Sequence, residues 1–191
     1  MEFERLRQAG DAEIFKELCF CILAANSSAE MGLKSVKAIE DILLEADLAA
    51  LQTRLNRGFR YWRIRPAYIV HTREYLRRKY GFKLRDLLES LSDPDGRRAF
   101  FAGNKEIKGI GWKESSHFLR NIGYPGYAIL DKHIRNCLCE LGVIRKSRKP
   151  LSPDRYRWIE KKMRDFSDRI GIGMDELDLL LWSRKTGKIL K

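Results

Sequence analysis

The chain has 191 residues, with 38 Lys or Arg against 26 Asp or Glu and a formal net charge of +12. This length is enough to bury a core, as one compact unit or as two closely packed subdomains, and the positive charge indicates a polyanionic partner. The sequence shows no signal peptide, no membrane-length apolar run and no lipidation motif, which predicts a soluble, cytoplasmic protein without a membrane partner.

Two helices and a corner between them are predicted near the N-terminus. Apolar residues recur at helical spacing in residues 11–25. Ser27, with Glu30 three residues later, has the pattern of a capping box and predicts a second helix to about residue 46. Asn26 therefore lies in the corner, where a residue that tolerates unusual backbone angles is expected.

The next two helices begin at recognisable signals. Asp47 is expected to cap a helix that ends near Gly58. Pro66 fits the first turn of a helix that continues to Tyr80, just before Gly81.

A basic stretch covers residues 57–85, with ten Lys or Arg and a single acid, interleaved with aromatic side chains. A run of this kind is usually a solvated surface, but the aromatic residues and the near absence of acids favour a surface that follows a phosphate backbone. The candidate DNA-binding residues are Arg60, Arg63 and Arg65.

A helix-hairpin-helix is predicted in residues 104–123. A short helical approach leads to the turn Gly109-Ile110-Gly111, and a second helix follows and ends near Gly123. Glycine lets the backbone approach another surface or adopt a positive φ, and the second helix begins with N–H groups that have no partner within the helix. These features predict a phosphate site, with Lys113 at the positive end of the second helix.

The remaining chain is predicted to be helical. A turn at residues 123–126 is followed by a helix that opens at Asp131, and two further helices are expected at about residues 153–170 and 174–184. No strand pattern or repeat is present. The sequence therefore predicts an all-α fold.

Four cysteines occur as two pairs, Cys19/Cys21 and Cys137/Cys139. Both pairs lie in predicted helices, where residues i and i+2 point to different faces, so neither pair is expected to hold a metal ion. The spacing of iron–sulfur ligands is also absent. We expect reduced core thiols, no metal and no cofactor.

The hairpin, with Asp131 eighteen residues after Lys113, resembles the helix-hairpin-helix and Gly/Pro-Asp signature of the DNA glycosylase superfamily. Residues 128–134 and the ending from Leu180 to Lys191 resemble its type 2 branch of 8-oxoguanine DNA glycosylase/AP lyases. This resemblance covers nearly the whole chain.

The resemblance implies one glycosylase unit across residues 1–191, built from two helical subdomains with the active site in the cleft between them. A helical barrel is expected at about 27–125 and includes the hairpin at 104–123. Residues 1–26 and 126–191 are expected to form the second subdomain.

The resemblance also assigns chemistry to Lys113 and Asp131. Lys113 would attack the sugar as a neutral amine, with Lys108 and Lys132 as the next candidates, although a lysine in such a position is ordinarily a solubilising side chain. Asp131 would stabilise positive charge on the sugar while also capping its helix. Asn26 would fill the gap left by an extruded base.

Two further residues are implied in lesion recognition. Trp182 would form a wall of the base pocket, or else be an ordinary core tryptophan. Lys191 would present its terminal carboxylate to 8-oxoguanine, or else be solvated. The backbone at Gly109 and Gly111 would contact DNA.

The implied function is a monomeric DNA repair enzyme that excises 8-oxoguanine from double-stranded DNA of the nucleoid and then cleaves the abasic site by β-elimination. Two alternatives stay open: the same scaffold acting on another damaged or mismatched base, and a non-catalytic helix-hairpin-helix module that only binds DNA. A binding module requires neither Lys113 nor Asp131. The base opposite the lesion is left undetermined.

Overall fold

A computed structural model describes residues 8–147 and 149–187, apart from the side chain of residue 186. This part of the chain contains α-helices joined by turns and loops and no β-strand, so the predicted all-α class is confirmed. The helices are α1 Asp11–Ala24, α2 Ala29–Lys37, α3 Leu48–Leu55, α4 Arg65–Tyr80, α5 Leu84–Ser90, α6 Pro94–Gly103, α7 Trp112–Asn121, α8 Lys132–Glu140, α9 Pro153–Ile170 and α10 Met174–Thr186. Among the described residues, no helix is long and apolar enough to cross a membrane.

The chain divides into two compact units, Met1–Gly123 and Tyr124–Lys191. In the first unit, α1 is the central element and packs against α2, α4, α5 and α7. In the second unit, α10 packs against both α8 and α9. The expected grouping of residues 1–26 with residues 126–191 stays a prediction.

Helix α1 is central because most of its side chains are apolar. Its residues from Leu18 to Ala24 are all buried. The thiols of Cys19, Cys21 and Cys137 are free and buried, and that of Cys139 is half-buried. The pattern of core thiols expected from the sequence is therefore present.

Side chains at the N-caps start several helices as the sequence predicts. Asp47 Oδ1 accepts a hydrogen bond of 2.8 Å from Ala50 N and starts α3. Pro66 lies in the first turn of α4. Such caps satisfy N–H groups that have no acceptor within the helix.

The expected capping box at Ser27 is wrong by one residue. Ser28 is the N-cap of α2, and its side chain accepts from Met31 N at 3.1 Å. The helix also ends at Lys37 rather than near residue 46. The sequence contains two adjacent serines, so a one-residue shift places the second in the same capping role.

Two arginines of α4 donate hydrogen bonds to the non-helical segment between α2 and α3. Arg73 donates to Leu43 O at 2.9 Å and to Ala46 O at 2.8 Å, and Arg77 donates to Leu44 O at 2.6 Å. These side chains satisfy carbonyl groups that helical hydrogen bonds would otherwise have to satisfy. The segment between α2 and α3 is thus held from outside by guanidinium groups.

Candidate active site and nucleic-acid interface

The predicted helix-hairpin-helix is formed by α6, residues 104–111 and α7. Its first helix ends at Gly103, so the helical approach that was expected within residues 104–123 lies before residue 104. Helix α7 has Gly111 as its N-cap and no side-chain cap, and its first intrahelical hydrogen bond joins Ser115 N to Gly111 O at 2.9 Å. The N–H groups of its first turn therefore have no acceptor within the helix. This arrangement can bind a phosphate through backbone donors and the helix dipole.

The two glycines of the turn have different roles. Gly109 has φ +83°, and a Cβ at this position would lie 2.6 Å from Tyr68 Cδ2 and 2.8 Å from Arg65 Nη1. Gly111 is extended, and the nearest atom to its Cβ would be Glu114 Oε2 at 3.6 Å, which is an ordinary contact. Only Gly109 is thus required by the fold, and contact of either glycine with DNA stays a prediction.

Lys113 lies in the first turn of α7, and its side chain is 31 % exposed. Its Nζ lies 3.1 Å from Glu114 Oε1. The other carboxylate oxygen of Glu114 accepts from Gly111 N at 3.2 Å. One carboxylate therefore joins the lysine to the start of its own helix, a contact that the sequence analysis did not anticipate.

Cys21 of α1 is close enough to Lys113 for an electrostatic interaction. Burial raises the pKa of this thiol well above its ordinary value, and the carboxylate of Glu17 acts in the same direction. A neutral, buried thiol is a poor nucleophile. Lys113 is consequently a better candidate for the nucleophile than Cys21.

Asn26 occupies the predicted corner between α1 and α2. Its φ of 55° is in the left-handed region, as expected for a tolerant turn residue, and the residue is exposed. Tyr61 Oη donates to Asn26 O at 3.4 Å. An exposed polar side chain on a tight corner is suited to entering a gap in a base stack.

A surface cavity of about 640 Å³ brings several predicted residues together. It contains Asn26, Arg65 and both hairpin glycines, all of which the sequence predicted to bind DNA. The lining consists of Ala25, Asn26, Tyr61, Ile64, Arg65, Tyr68, Lys108, Gly109, Ile110, Gly111 and Glu114.

The basic stretch divides into exposed and internal arginines. Arg60 and Arg63 are exposed, and their guanidinium carbons lie 5.3 Å from the Tyr61 ring centre and 4.6 Å from the Trp62 ring centre, respectively. Arg65 is buried and donates to backbone carbonyl groups, as Arg73 does. The aromatic residues support arginines by cation–π contact. DNA binding by Arg60 and Arg63 stays a prediction, whereas the contacts of Arg65 indicate an internal role.

In the second unit, Asp131 is the N-cap of α8, and its Oδ1 accepts from Ile134 N at 2.8 Å. Three side chains fix the backbone immediately before it. Glu160 Oε1 accepts from Ala128 N at 2.8 Å. Asp178 Oδ1 accepts from Ile129 N at 3.2 Å, and Tyr156 Oη accepts from Leu130 N at 3.2 Å. The carboxylate of Asp131 therefore extends from a segment held by buried acids and a tyrosine.

Comparison with known proteins gives the same family across the chain. The model of the 8-oxoguanine DNA glycosylase family matches residues 1–172. The chain belongs to this family.

Individual relatives match the whole chain. The 8-oxoguanine DNA glycosylase/AP lyase of Methanocaldococcus jannaschii is 41% identical over 191 residues, covering 100% of this chain and 88% of the relative. The Korarchaeum cryptofilum protein of the same name is 44% identical over 193 residues, covering 100% and 87%. The crystal structure of the M. jannaschii enzyme with a 15mer DNA containing 8-oxoguanine matches with a TM-score of 0.90 over 100% of this chain and 88% of that one. The resemblance inferred from the hairpin is confirmed.

Of the two residues predicted to recognise the lesion in this 8-oxoguanine DNA glycosylase family member, the structure describes one. Trp182 is half-buried on α10. An apolar cavity of about 410 Å³ in the second unit is lined by other residues of that helix, including Leu177, Leu180 and Leu181. Lys191 lies outside the described residues. Both assignments stay predictions.

Sequence reasoning missed how the hairpin of this family member is held. One face of α4 carries side chains that contact residues 104–109 in reverse order along the chain. The contacts are Arg65 Nη1 to Gly109 O at 3.0 Å, Tyr68 against Gly109, Lys108 N to Thr72 Oγ1 at 3.0 Å, and Asn104 Nδ2 to Tyr75 Oη at 3.0 Å. Their spacing along α4 is helical, so polar residues at one helical face were the available signal.

Among the described residues of this family member, no group of three or more His, Cys, Asp or Glu is placed to hold a metal ion.

Proposed function

We propose that this chain excises 8-oxoguanine from duplex DNA and then cleaves the strand at the abasic site. Lys113 is the nucleophile, and Asp131 stabilises the positive charge that develops on the sugar. The observation that carries the residue assignment is the position of Lys113 in the first turn of an uncapped helix, directly after the hairpin. The family membership and the names of the relatives support the substrate and both reactions.

The first reaction forms a bond between Lys113 Nζ and C1′ of the extruded nucleotide. The bond between C1′ and the base breaks, and the base leaves with its electron pair and takes up a proton. Opening of the sugar ring then gives an imine between C1′ and Nζ. Glu114 Oε1 lies 3.1 Å from Nζ and is placed to accept the proton that the amine must lose.

The second reaction is β-elimination from the imine. Removal of a proton from C2′ forms a carbon–carbon double bond, and the 3′ phosphate leaves with the electron pair of the C3′–O bond. Water then hydrolyses the imine and frees Lys113. The N–H groups of α7 support this chemistry by binding a phosphate next to the reacting sugar.

Borohydride trapping tests the nucleophile. Wild-type protein should become covalently attached to a duplex that contains 8-oxoguanine, because borohydride reduces the imine. Lys113→Gln should give no adduct while binding the same duplex within about threefold, since a neutral polar side chain at a partly exposed position should preserve the fold. A panel of duplexes with other single lesions measures the substrate preference.

Lys108→Gln and Lys132→Gln are the matched controls, because both lysines were next in line from the sequence. Both variants should still be trapped. Undiminished trapping of Lys113→Gln would move the nucleophile to another lysine, and loss of trapping only in a control would identify which one.

The remaining assignments follow from the same function and are part of the proposal. Trp182 forms a wall of the base pocket and Lys191 contributes to lesion recognition. The protein acts as a monomer in the cytoplasm, where the nucleoid holds its substrate.

A further inference from the structure

Arg65 connects two segments of the first unit that the proposed function uses. Its Nη1 donates to Gly109 O of the hairpin at 3.0 Å, and its Nη2 donates to Ala25 O at 3.2 Å. Ala25 directly precedes Asn26 in the exposed corner. The side chain lies almost entirely inside the protein, with a relative exposure of 8 %. One guanidinium group thus spans the distance between the corner and the hairpin.

Aromatic rings hold this guanidinium in place. The rings of Tyr61 and Tyr68 have their centres 5.4 Å and 5.5 Å from its central carbon. Tyr61 also donates through its hydroxyl to Asn26 O at 3.4 Å. The guanidinium is planar, donates to two carbonyl groups and contacts two rings. These contacts fix the orientation of the corner relative to the hairpin as well as the distance between them.

The hairpin is built to accept this contact. Gly109 has no side chain, and any Cβ there would lie 2.8 Å from Arg65 Nη1. At the other end, Asn26 has φ 55°, in the left-handed region that asparagine tolerates better than most residues with a side chain. Both ends of the connection are therefore specialised.

We propose that Arg65 is a positioning residue that sets the place of Asn26 relative to the hairpin, and so to the first turn of α7. This proposal rests on the proposed function, since it requires Asn26 to fill the gap in the stack while Lys113 attacks the extruded nucleotide. Arg65 acts through the backbone of two segments and not on the DNA. The exposed Arg60 and Arg63 differ from Arg65, because they are predicted to contact the DNA directly.

The two reactions of the enzyme should depend on Arg65 to different degrees. Extruding an intact 8-oxoguanine breaks stacking that the protein must replace, whereas an abasic site has no base to unstack. Misplacement of Asn26 therefore slows base excision more than it slows cleavage of a ready-made abasic site. The ratio of these two rates is the quantity that reports the role of Arg65.

Arg73 is a matched control on the same helix. It is 3 % exposed and also donates to two carbonyl groups, those of Leu43 and Ala46, at 2.9 and 2.8 Å. Neither acceptor belongs to the hairpin or to the corner at Asn26. Replacing Arg73 removes the same kind of carbonyl contacts, together with an ion pair of 3.0 Å to Glu74, without touching the proposed connection.

The experiment compares single-turnover rates of 8-oxoguanine release and abasic-site cleavage in wild-type, Arg65→Met, Arg65→Lys and Arg73→Met proteins. Arg65→Met should lower the ratio of excision to cleavage about tenfold, the size expected from losing a charged hydrogen bond to the corner. Arg65→Lys keeps a positive charge but can reach only one carbonyl at a time, and should lower the ratio about threefold. Arg73→Met should leave the ratio within about twofold of wild type while lowering thermal stability.

A second measurement protects the test against loss of folding. Circular dichroism defines a temperature at which each variant is folded, and the rates are compared there. A 2-aminopurine beside the lesion becomes brighter when the target base leaves the stack. Binding of Arg65→Lys should give a smaller increase than binding of Arg73→Met.

An excision-to-cleavage ratio in both Arg65 variants equal to that of Arg73→Met would overturn the proposal, and so would an equal fall of the two rates. Failure of the proposed function has a different signature, because wild-type protein would then release no 8-oxoguanine at all.

Discussion

Helices α7 and α8 carry the two residues assigned to the chemistry, and their N-termini are organised in opposite ways. Helix α7 starts at Gly111 without a side-chain cap, and Lys113 lies in its first turn. Helix α8 starts at Asp131, whose side chain accepts from Ile134 N at 2.8 Å. One helix leaves its positive end available for an anion, and the other supplies an anion from its own sequence.

This difference matches the charges that each residue must handle in the proposed reaction. The nucleophile has to reach a sugar that is flanked by phosphates, so an open helix end that binds a phosphate is useful next to Lys113. A carboxylate can stabilise a positive sugar, and the cap hydrogen bond to Ile134 N holds the carboxylate of Asp131 in place. The positive helix end thus serves phosphate binding at α7 and the orientation of a carboxylate at α8.

The largest effect is expected from removing the negative charge at the N-terminus of α8. Asp131→Asn should lower excision of 8-oxoguanine by about 100-fold or more, because charge stabilisation at the sugar is lost. Cleavage of a ready-made abasic site should fall less, since its glycosidic bond is already broken. Single-turnover assays on the two substrates measure both rates.

Asp131→Ala is the matched comparison, because alanine removes the cap as well as the charge. Asparagine is a good N-cap, so Asp131→Asn should keep wild-type stability while Asp131→Ala loses about 1 kcal/mol in denaturant unfolding. Near wild-type excision by the asparagine variant would leave Asp131 with a capping role alone.

Sequence reasoning was most successful where one residue type performs one local task. The N-cap role of Asp131 and the left-handed corner at Asn26 follow from side-chain chemistry within a few residues, and both are present. The capping position at Ser27 failed by one residue because Ser28 has the same chemistry. Local rules identify a task but not always which of two neighbours performs it.

The basic stretch shows what local patterns leave undetermined. Arg60 and Arg65 have the same side chain and similar surroundings in the sequence, yet one is exposed and the other buried. The acceptors of Arg65 are Gly109 O and Ala25 O, more than 30 residues away along the chain in each direction. Tertiary contacts of this kind decide whether an arginine binds backbone carbonyls or is available for phosphate, and periodicity carries no information about them.

A smaller effect is expected from adding a side-chain cap to the N-terminus of α7. Gly111→Asp should give α7 a cap like that of α8, since residue 111 is extended and its Cβ would meet only Glu114 Oε2 at 3.6 Å. The added carboxylate would occupy the phosphate site, so affinity for undamaged duplex should fall about tenfold. Fluorescence anisotropy measures this affinity.

Gly173→Asp provides the control, because Gly173 is the uncapped N-cap of α10 and its Cβ would likewise lie 3.6 Å from a glutamate oxygen, that of Glu176. Both substitutions should raise the free energy of unfolding by roughly a few tenths of a kcal/mol. Only Gly111→Asp should weaken DNA binding. Equal affinities of the two variants would show that phosphate does not bind at the start of α7.

The smallest effect should come from replacing the exposed arginines. It measures how much of the phosphate binding takes place away from the N-terminus of α7. Arg60→Gln with Arg63→Gln should reduce the slope of log affinity against log salt by about 1.8, because each lost phosphate contact contributes about 0.9. Arg65 is kept, since its guanidinium is buried and bonded to carbonyl groups. Lys79→Gln with Lys83→Gln removes the same charge from exposed positions, in the last turn of α4 and at the N-cap of α5, and should leave the slope unchanged. An equal decrease in both double variants would assign the effect to net charge, because a phosphate contact depends on position and overall attraction does not.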